Sequence, residues 1–509
     1  MLLILSGSYI SAEMQSEFGR IPPVFLPLAG QPLLTYQIEA LQERTVFVAL
    51  PSTYELSCAE SRLIEDYEVE VIRVSEGLSL RECFVDCLNY FDEYKGSITV
   101  LFGDTLITPE NTLINCVGVS KGLVGFYWAV FHEQSRTFSR NQYLDKESLV
   151  LNGYFRFKRL SIVQNAFCGS GRSFIDTINQ LVKESEIQAV EMENWLDFGH
   201  LHSFFSSRKN FTSERVFNSL TYRNGYFVKS AIDNKKINAE KSWFDALGEP
   251  LKIFVPATYS DDDNSYGTEY LYSLPLSELY LSCRLGAGVW LRIIRSCFDF
   301  LDKLHSSSFN DGSAKFSLTK KTEDRVALLP ENIKLKIDEA LGFHGQSFES
   351  LVASADQLFP AHLASRNFIH GDFCFSNIIY DFRANRVKVI DPRGCDFNGQ
   401  QTVFGDPIYD YAKLAHSCVG RYDDLVALRF DKNALLSNYS LEFLYAVDSD
   451  TISICFNQEL RSRNIDLKAV YGVMIHLFLS MIPLHSDSYE RQLAFALNAL
   501  RLSREVDYL

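Results

Sequence analysis

The stretch Phe368–Gly394, "FIHGDFCFSNIIYDFRANRVKVIDPRG", contains three polar side chains whose type and spacing suggest a chemical role. They are Asp372, Asn377 and Asp391. A carboxylate can orient and deprotonate a hydroxyl group, and carboxylate and amide oxygens are ligands that suit Mg²⁺. Because moving a phosphoryl group from a nucleotide needs little else from a protein, the stretch predicts a phosphoryl-transfer site.

A β-hairpin is expected to bring these side chains together. The apolar runs 378–380 and 387–390 favour β-strands, and the polar segment between them can form the connection. The midpoint between Asn377 and Asp391 falls in that segment, so antiparallel pairing about it would place the two residues opposite each other. We therefore expect a Mg²⁺ ion between them, with Asp372 facing it from the preceding loop.

The form "HGDxxxxN", with glycine between His370 and Asp372, resembles the aminoglycoside phosphotransferase and choline kinase family, whose members phosphorylate small molecules. The resemblance implies a two-lobed α+β, protein-kinase-like domain in the C-terminal half that uses ATP and Mg²⁺. It also implies that Asp372 is the catalytic base and that Asn377 and Asp391 are the metal ligands. His370 is then expected to support the loop rather than to act as a base.

A second segment of the same family lies downstream. "FGDPIYDYAKL" at 404–414 resembles the motif whose carboxylates brace the catalytic loop in these kinases. A purely structural interpretation also fits, because Asp406 before Pro407 is a favourable N-cap before a proline at the first helical position. Both interpretations can hold together.

The region upstream of the catalytic stretch is expected to form the small lobe of the kinase-like domain. Lys229 in "FVKS" occupies the place of the family's phosphate-binding lysine, and Glu240 lies on a plausible helix from which it could pair with Lys229. Lysine and glutamate are common surface residues, so their residue types alone would not indicate a site. Their position relative to the downstream motifs is what indicates a role in phosphate binding. Backbone groups near 270–272 are expected to meet the adenine.

A polar segment with a basic centre, 310–329, contains Lys320, Lys321 and Arg325. Two interpretations are open for these cations. They could hold a phosphate near the substrate entrance, or they could belong to the solvated start of a helix. The solvated helix is the more conservative interpretation.

The first two hundred residues alternate apolar runs with helical patterns, from "LLILS" at the start to "SITVLFGD", which ends at Asp104. This alternation predicts a Rossmann-like α/β domain with a mainly parallel sheet. Ligands of such sheets gather at the carboxyl ends of the strands. Gly7 follows the first apolar run and Asp104 follows a later one, so both are candidate site residues.

Three segments of this half resemble the sugar-phosphate nucleotidyltransferases: "PPVFLPLAGQPLLTYQI", "LFGDTLI" and "NWLDFGHLHSF". The resemblance implies that Asp104 and Asp197 hold a second Mg²⁺ and that the loop around Gly7 contacts a nucleoside triphosphate. The sequence departs from the family in two places. Pro23 replaces the usual lysine, and the glycine-rich loop is replaced by "SGSYISAEMQSEFGR", after which Arg20 is the candidate replacement cation.

Composition excludes several classes of function. The 509 residues are 47% hydrophobic and carry a net charge of −15 without a Lys/Arg-rich run, so we expect no nucleic acid polymer as partner. The eleven cysteines are scattered without a CxxC pair, as in reduced proteins. The apolar start is more typical of a buried strand than of a signal peptide, and the run 469–484 falls short of the ~20 residues that span a bilayer. We expect a cytoplasmic protein without a membrane span.

Together the motifs predict a nucleotidyltransferase-like domain at 1–205, a kinase small lobe at 206–275 and a kinase large lobe at 276–509. This pairing predicts a bifunctional enzyme. It would phosphorylate a small sugar or amino alcohol with ATP and couple the phosphate to a nucleoside monophosphate from CTP, UTP, GTP or dTTP. The product would be a nucleotide-activated precursor for bacterial surface polysaccharide.

Two alternatives stay open. In one, the N-terminal domain binds a nucleotide without catalysis and regulates the kinase, as the substitution at Pro23 suggests. In the other, the protein is a non-catalytic binding or scaffold protein. The sequence specifies neither the acceptor nor the nucleotide base, and it leaves a homo-oligomer open.

Overall fold

The computed structural model describes residues 1–91, 94–109, 114–122, 126–141, 147–168, 173–184, 187–209, 218–223, 225–231, 234–262, 265–307, 315–359, 363–364, 367–396, 398–444 and 449–509. The chain forms two compact units. The first comprises Met1–Phe211 with Ser282–Arg284, and the second comprises Thr212–Leu281 with Leu285–Leu509. The sequence did not predict that Ser282–Arg284 belongs to the first unit. The division of the second unit into a small and a large lobe at 275 remains a prediction.

Within its described residues the first unit alternates strands and helices. They are β1 (Leu2–Leu5), α1 (Ala12–Phe18), β2 (Pro27–Leu28), β3 (Gln31–Pro32), α2 (Leu33–Leu41), β4 (Val46–Pro51), α3 (Cys58–Asp66), β5 (Val69–Val74), α4 (Leu80–Asn89), β6 (Ile98–Phe102), β7 (Thr105–Ile107), β8 (Cys116–Lys121), β9 (Trp128–His132), β10 (Thr137–Asn141), β11 (Leu149–Phe157), α5 (Leu160–Phe167), α6 (Phe174–Glu184), β12 (Gln188–Glu191), β13 (Trp195–Asp197) and α7 (Leu201–Arg208).

A parallel sheet forms the centre of the first unit, which confirms the predicted α/β class. Strand β1 lies between β4 and β6 and runs parallel to both, and β5 continues the parallel order beyond β4. Strand β11 pairs antiparallel with β6, and β8, β9, β10 and β12 extend the sheet on that side. Because Leu5 pairs with both Ala49 and Phe102, the loops after β1 and β6 leave the same edge side by side.

Helices α4, α5 and α6 share one buried apolar core with this sheet. A capping box begins α4. The Ser79 hydroxyl accepts a hydrogen bond from the N–H of Glu82 at 3.3 Å, and the Glu82 carboxylate accepts one from the N–H of Ser79 at 2.8 Å. The helix therefore begins at a defined residue and presents Phe84 and Leu88 to the sheet.

The second unit contains short strands followed by longer helices. Within its described residues these are β14 (Asn218–Arg223), β15 (Tyr226–Ala231), α8 (Asn234–Asp245), β16 (Thr258–Asp262), β17 (Ser265–Glu269), α9 (Leu276–Ser282), α10 (Ala287–Ser306), β18 (Lys315–Phe316), α11 (Leu318–Val326), α12 (Glu331–Phe343), α13 (Phe348–Asp356), β19 (Leu363–Ala364), β20 (Asn367–Phe368), β21 (Ile378–Asp381), β22 (Arg386–Val389), β23 (Phe404–Gly405), α14 (Pro407–Cys418), α15 (Tyr422–Val426), α16 (Lys432–Asn438), α17 (Ser449–Ser462), α18 (Leu467–Met481) and α19 (Tyr489–Val506).

Two sub-structures of this unit position the catalytic stretch. Strands β14, β15, β17 and β16 form an antiparallel sheet in that order, with α8 packed against β15 and β17. Farther along the chain, β21 and β22 form a hairpin that packs on α10, while α14, α18 and α19 pack in series. A small sheet with one helix, followed by a helical region with a hairpin, is the α+β arrangement that the sequence predicted.

Helix α18 is the most apolar helix of the second unit. Together with the 3₁₀ turn that follows it, the helix forms the segment Leu467–His485, which by length and composition could cross a membrane. This segment is slightly longer than the apolar run 469–484 that the sequence indicated. Its apolar window is 72% buried within the protein. Packing against α14 and α19 accounts for this burial, as for a helix in the core of a unit.

Candidate active sites

Asp372, in the stretch Phe368–Gly394 of the second unit, has polar partners at both carboxylate oxygens. One carboxylate oxygen, Oδ1, lies 2.8 Å from Nζ of Lys413. The other, Oδ2, accepts a hydrogen bond from Nδ2 of Asn377 at 3.1 Å, and the same amide donates to the backbone carbonyl of Asp372 at 2.8 Å. The structure thus brings Asp372 and Asn377 into direct contact.

Lys413 is a residue that the sequence analysis did not single out. It follows Asp410 by three positions on α14, so both side chains lie on one face of the helix, and this spacing was the available signal. Burial raises the pKa of Asp372, but the cations Lys413 and Arg393 outweigh this and hold it below its ordinary value. Asp372 is therefore ionised and able to accept a proton.

Asp410 braces the loop that carries Asp372. Its two oxygens accept hydrogen bonds from the backbone N–H groups of His370 and Gly371, each at 2.8 Å, and its side chain is fully buried. At the start of the same helix, Asp406 is the N-cap and accepts from the N–H of Ile408 at 3.0 Å. Both interpretations of the segment 404–414 therefore hold.

Local backbone geometry explains the glycine and histidine of "HGD". Gly371 has a φ of 78°, and a Cβ there would lie 2.8 Å from Cβ of Arg393, so other residues would be strained. His370 donates from Nε2 to the carbonyl of Ile390 at 3.1 Å and accepts at Nδ1 from the N–H of Asp372 at 3.3 Å. Burial lowers the pKa of His370, which leaves a neutral ring whose nitrogens both hold the loop.

The predicted hairpin forms, but its register differs by one residue from the prediction. Ile378 pairs with Val389, and the N–H of Ile390 donates to the carbonyl of Asn377 at 3.0 Å. Asn377 is therefore opposite Ile390 and not opposite Asp391. The backbone of Asp391 then leaves the strand in the left-handed region, with a φ of 56°.

The connection of the hairpin causes this difference in register. A midpoint on one residue requires an odd number of connecting residues, whereas four residues separate β21 from β22. Asp381 accepts hydrogen bonds from the N–H groups of Arg383 and Ala384, both at 2.9 Å, and Asn385 closes the turn with a φ of 51°. Asparagine and aspartate favour such local bonds and left-handed conformations.

Three further predicted site residues meet in one buried network. Nζ of Lys229 lies 2.7 Å from Oε2 of Glu240 and 3.0 Å from Oδ1 of Asp391. Tyr266, which the sequence analysis missed, donates its hydroxyl to Oε2 of Glu240 at 2.7 Å and lies opposite Lys229 in the sheet. Burial lowers the pKa of Lys229, but Asp391 and Glu240 outweigh it and keep the pKa above its ordinary value, so the lysine stays charged.

Replacing Lys229 by methionine is expected to lower the free energy of unfolding by about 3 kcal/mol, because Glu240 and Asp391 lose the cation between them. We also expect the KM for ATP to rise by about 100-fold, as for a charged phosphate contact. Denaturant unfolding and ATP titration measure the two effects. Lys236→Met is the control, because Lys236 lies 3.9 Å from Glu240 but is 57% exposed. Equal losses in both variants would contradict the role of Lys229.

The oxygen donors of this region fit Mg²⁺. Asp391 supplies a carboxylate and Asn377 an amide oxygen, and Mg²⁺ is usually held by one or two such groups together with substrate phosphates and waters. The ring of His370 is hydrogen-bonded at Nδ1 to the N–H of Asp372 and at Nε2 to the carbonyl of Ile390, the residue before Asp391, so the backbones of the two aspartates are held close together. The donor set therefore suits a metal that is completed by a nucleotide.

In the first unit, strand pairing brings Asp104 and Asp197 together. Strand β13 pairs antiparallel with β7 so that Asp197 lies opposite Thr105, and the N–H of Phe198 donates to the carbonyl of Asp104 at 2.8 Å. A Cβ on Gly199 would lie 2.6 Å from Oδ2 of Asp104 and 3.4 Å from Oδ1 of Asp197. The two carboxylates therefore face the same glycine.

The electrostatics of this pair suit a cation. Burial and the neighbouring charge of Asp197 raise the pKa of Asp104 to about 7. Oδ2 of Asp197 is buried and has no hydrogen-bond partner among the described residues, and Nδ1 of His200 lies 3.8 Å from it. The described part of the chain contains no cluster of three or more His, Cys, Asp or Glu side chains arranged to hold a metal. A Mg²⁺ ion here would therefore take further ligands from a bound triphosphate.

Gln37 fixes the loop that carries Asp104, and the sequence analysis missed it. Its Nε2 lies 3.3, 3.1 and 2.7 Å from the carbonyl oxygens of Phe102, Gly103 and Thr105. The side chain is fully buried on α2 beside apolar neighbours. A single amide in the buried stripe of a helix was the available signal, because a buried polar group needs partners.

Replacing Gln37 by methionine is expected to lower the free energy of unfolding by about 2 kcal/mol, because the carbonyl groups around it lose a buried donor. Hydrogen exchange of the peptide that contains Asp104 should also accelerate. Denaturant unfolding and exchange followed by mass spectrometry measure both effects. Gln31→Met is the matched control, since Gln31 is exposed. Unchanged exchange in Gln37→Met would show that Gln37 does not hold the loop.

The remaining residues predicted for the nucleotide loop have structural partners. A Cβ on Gly7 would lie 2.5 Å from Cγ2 of Val74 and 2.6 Å from Sγ of Cys83, so the close packing of the loop on these side chains requires glycine. Arg20 is 56% exposed, pairs with Glu76 at 2.8 Å, and lies 3.9 Å from the ring centre of Tyr9. A phosphate would have to compete with Glu76 for Arg20.

Pro23, at the position of the missing lysine, begins a 3₁₀ turn, Pro23–Phe25. Proline suits the first position of such a turn because its φ is already fixed and no N–H is lost from an internal hydrogen bond. Pro23 therefore has a structural role and supplies no cation to the loop.

The comparison with protein families finds a match in the second unit of the chain. Residues 213–441 match the model described as "Phosphotransferase enzyme family". This match confirms the resemblance of the C-terminal half that the "HGDxxxxN" form predicted. Among curated proteins, none matches the chain.

Three solved structures illustrate the folds to which part of this chain is similar. A nucleoside-diphosphate-sugar pyrophosphorylase from Vibrio cholerae RC9 is 14% identical, with 41% of this chain and 100% of that chain covered and a TM-score of 0.33. HddC from Yersinia pseudotuberculosis is 16% identical, with 42% and 99% covered and a TM-score of 0.33. The inositol-1-phosphate CTP transferase from T. maritima is 15% identical, with 42% and 97% covered and a TM-score of 0.31. Identities and TM-scores this low do not identify an activity. The chemistry of the first unit must therefore be inferred from its own side chains.

Proposed function

We propose that the second unit is a small-molecule kinase that transfers the γ-phosphoryl group of ATP to a hydroxyl group. The contact between Asp372 and Lys413, in the unit that also holds the Lys229, Glu240 and Asp391 network, carries this proposal. In this arrangement Asp372 is an ionised base, Lys229 is a buried cation for a phosphate, and Asp391 offers carboxylate oxygens to a metal. The family match over 213–441 supports the same activity.

In the proposed reaction Asp372 orients the acceptor hydroxyl and takes its proton as the oxygen attacks the γ-phosphorus of ATP. The bond between this phosphorus and the bridging oxygen breaks, and ADP leaves with the bridging oxygen. Lys229 would hold phosphate oxygens, while Asn377 and Asp391 would be the ligands for Mg²⁺. When bound, Mg²⁺ neutralises charge on the phosphates. Asp410 acts by holding the loop in place.

We further propose that the first unit is a nucleotidyltransferase. In this reaction a phosphomonoester oxygen attacks the α-phosphorus of a nucleoside triphosphate and pyrophosphate leaves. Asp104 and Asp197, both beside Gly199, would hold Mg²⁺ against the triphosphate, and this paired site supports the proposal. The first strand's loop around Gly7, which leaves the sheet beside Gly103, would contact the nucleotide.

Together the two units would make a nucleotide-activated compound in two steps. The kinase product, a phosphomonoester, is the substrate that a nucleotidyltransferase consumes. We place this protein in the cytoplasm, where ATP and other nucleoside triphosphates are available, and assign its product to bacterial surface polysaccharide. The pairing of the two units supports this assignment, and no individual residue specifies it.

A second function for the first unit is favoured by a specific observation. Pro23 stands in a 3₁₀ turn where the related enzymes have lysine, and Arg20 is already paired with Glu76. If neither of these two positions supplies a cation to the phosphates, the first unit could bind a nucleotide and regulate the kinase without catalysing nucleotidyl transfer.

Phosphorus NMR distinguishes the two functions. The full chain would be incubated with Mg²⁺, ATP, a panel of sugars and amino alcohols, and CTP, UTP, GTP or dTTP in turn. A phosphomonoester that converts to a diphosphate diester with release of pyrophosphate is the result expected of the bifunctional enzyme. A phosphomonoester that accumulates with every triphosphate would show a kinase with a regulatory first unit, and absence of any new ester would contradict the kinase itself.

A further inference from the structure

One face of helix α14 follows the loop that carries the proposed base of the kinase unit. Asp410 holds two N–H groups just before Asp372, and Lys413 contacts Asp372 itself. One turn further along, the hydroxyl of Ser417 accepts a hydrogen bond from the N–H of Phe375 at 3.1 Å. Because residues three, four or seven apart lie on one side of a helix, these side chains of α14 form a continuous face. Residues beside this face are therefore close to the proposed site of phosphoryl transfer.

His416 lies at the edge of this face. It follows Lys413 by three residues, which makes the two side chains neighbours on the helix surface. His416 is 1% exposed, and its ring centre lies 4.3 Å from that of Tyr422 on α15 and 4.1 Å from that of Phe478 on α18. Two aromatic rings therefore fix the imidazole beside the lysine that contacts the base.

Both ring nitrogens of His416 are buried, and neither has a hydrogen-bond partner among the residues that the structure describes. Burial and the charge of Lys413 lower the pKa of His416 well below its ordinary value, so the ring is neutral. A neutral imidazole offers one N–H donor and one acceptor nitrogen. Because unpaired buried polar groups cost free energy, a purely structural role at this position would favour an apolar side chain. The unpaired nitrogens therefore indicate a ligand that completes their hydrogen bonds.

The hydrogen-bonding capacity of the two nitrogens indicates the kind of ligand. An ammonium group only donates hydrogen bonds and an ionised carboxylate only accepts them, whereas a hydroxyl group does both and can pair with either nitrogen. A trimethylammonium group, as in choline, does neither. An uncharged hydroxylated molecule therefore fits His416 better than a charged one.

The carboxylates of the neighbouring helix α15 each have a partner within the protein. Asp424 accepts hydrogen bonds from the hydroxyl of Tyr280 at 2.5 Å and from Nε of Arg421 at 2.8 Å. Asp423 accepts one from the hydroxyl of Ser417, and burial raises its pKa to about 7, which reduces its negative charge near neutral pH. These two carboxylates therefore give a cationic acceptor little advantage over an uncharged one.

We propose that the acceptor of the kinase is an uncharged polyol or sugar, and that His416 binds one of its hydroxyl groups while Asp372 takes the proton of another. This inference rests on the proposed kinase function and narrows its acceptor, since it excludes amino alcohols of the choline type as good substrates. It makes His416 a specificity-determining residue that the sequence analysis missed. Its place on the helix that carries Asp410 and Lys413 was the available signal.

Acceptors that differ by one hydroxyl group test the proposal. The full chain with Mg²⁺ and ATP would receive glucose and its 2-, 3- and 6-deoxy analogues, glycerol and 1,3-propanediol, and choline, with ADP release as the readout. Phosphorus NMR identifies the hydroxyl group that is phosphorylated. Loss of one other hydroxyl group is expected to lower kcat/KM by about 10-fold, the size of one hydrogen bond, and choline should react less well than the polyols.

Two substitutions of His416 separate hydrogen bonding from packing. His416→Leu removes both nitrogens, so a polyol and its deoxy analogue should react equally in this variant, through a KM for the polyol that rises by about 10-fold. His416→Gln keeps a donor and an acceptor and should retain part of the preference. Because an unpaired imidazole costs free energy in the protein without acceptor, His416→Leu is expected to unfold at the wild-type temperature or above.

His344 provides the matched control in the same unit. Its Nε2 lies 2.8 Å from the carbonyl oxygen of Tyr439, so this histidine has a structural partner. His344→Leu should lower the temperature of unfolding and leave the preference among acceptors unchanged. The same pair of results for His416→Leu would overturn the inference, as would choline or a deoxy analogue that reacts as well as the polyols. Either outcome leaves the kinase function itself intact.

A binding measurement covers the cases in which no acceptor reacts or His416→Leu does not fold. The wild-type chain, labelled with nitrogen-15 at histidine and saturated with Mg²⁺ and a non-hydrolysable ATP analogue, would be titrated with glucose, glycerol and choline. His416→Gln lacks the signals of this ring and so identifies them. Ring nitrogen signals of His416 that change with either polyol and not with choline would support the site even if the kinase function fails. Signals that respond to none of the three, or to choline equally, would overturn it.

Discussion

Asp372→Asn is expected to lower the rate of acceptor phosphorylation by about 10³-fold, the size of a lost general base. Asparagine keeps the shape of the side chain and can still contact Lys413, but it cannot accept the proton of the acceptor hydroxyl. Because Lys229 and Asp391 are untouched, ATP binding should change by less than about 3-fold. Single-turnover transfer from labelled ATP measures the rate, and titration with a non-hydrolysable ATP analogue measures the binding.

The control for this variant is a carboxylate of the same unit outside the site. Asp299 has a side chain that is 66% exposed on α10, so Asp299→Asn should transfer phosphate at the wild-type rate. Wild-type transfer by Asp372→Asn would exclude Asp372 as the base, and it would favour the non-catalytic scaffold that the sequence left open. A variant that loses ATP binding as well would instead show that Asp372 organises the nucleotide site.

Asp104→Asn and Asp197→Asn are each expected to lower pyrophosphate release from a nucleoside triphosphate by at least about 10²-fold, because each removes one of two carboxylates from the proposed Mg²⁺ site. Kinase activity should be unchanged in both. The folded first unit should be as stable as the wild type or more so, because the substitution removes like-charge repulsion between the two side chains. Pyrophosphate release, ADP release and thermal unfolding are the three measurements.

Asp86→Asn is the control for the first unit, since Asp86 is exposed on α4. If the wild type releases pyrophosphate and both site variants release it at the same rate, residues other than Asp104 and Asp197 must catalyse the reaction. The regulatory hypothesis for the first unit predicts a different result. In that case the wild type releases no pyrophosphate, its kinase rate responds to nucleoside triphosphates, and Asp197→Asn abolishes this response.

The sequence predicted the local features of the kinase unit well because these depend on residues close together in the chain. The "HGDxxxxN" spacing, the N-cap at Asp406 and the hairpin around 381–386 are each determined within a few residues by hydrogen-bonding capacity and backbone preference. The register of the hairpin was wrong by one residue. The register is fixed by two hydrogen bonds that the Asp381 carboxylate accepts from backbone N–H groups and by the left-handed conformation of Asn385, and an apolar pattern predicts neither feature.

Residues that support the sites from distant elements could not be predicted in the same way. Lys413, Tyr266 and Gln37 each occupy an ordinary helix or strand position, and their roles come from the groups that packing places opposite them. For Lys321 the sequence left two interpretations open, a phosphate contact and a solvated helix start, because charge composition does not specify which face of a helix packs against the protein.

The sequence by itself determined the order of the two units, the types of their elements, and the residue types that suit phosphate and metal chemistry, since these follow from periodicity, capping and motif spacing. Only the tertiary structure decided which charges meet. It paired Asp372 with Lys413 and set Asp104 beside Asp197. The reason is physical: electrostatic interactions depend on distances between side chains and on their burial, and both are fixed only when the helices and strands pack together.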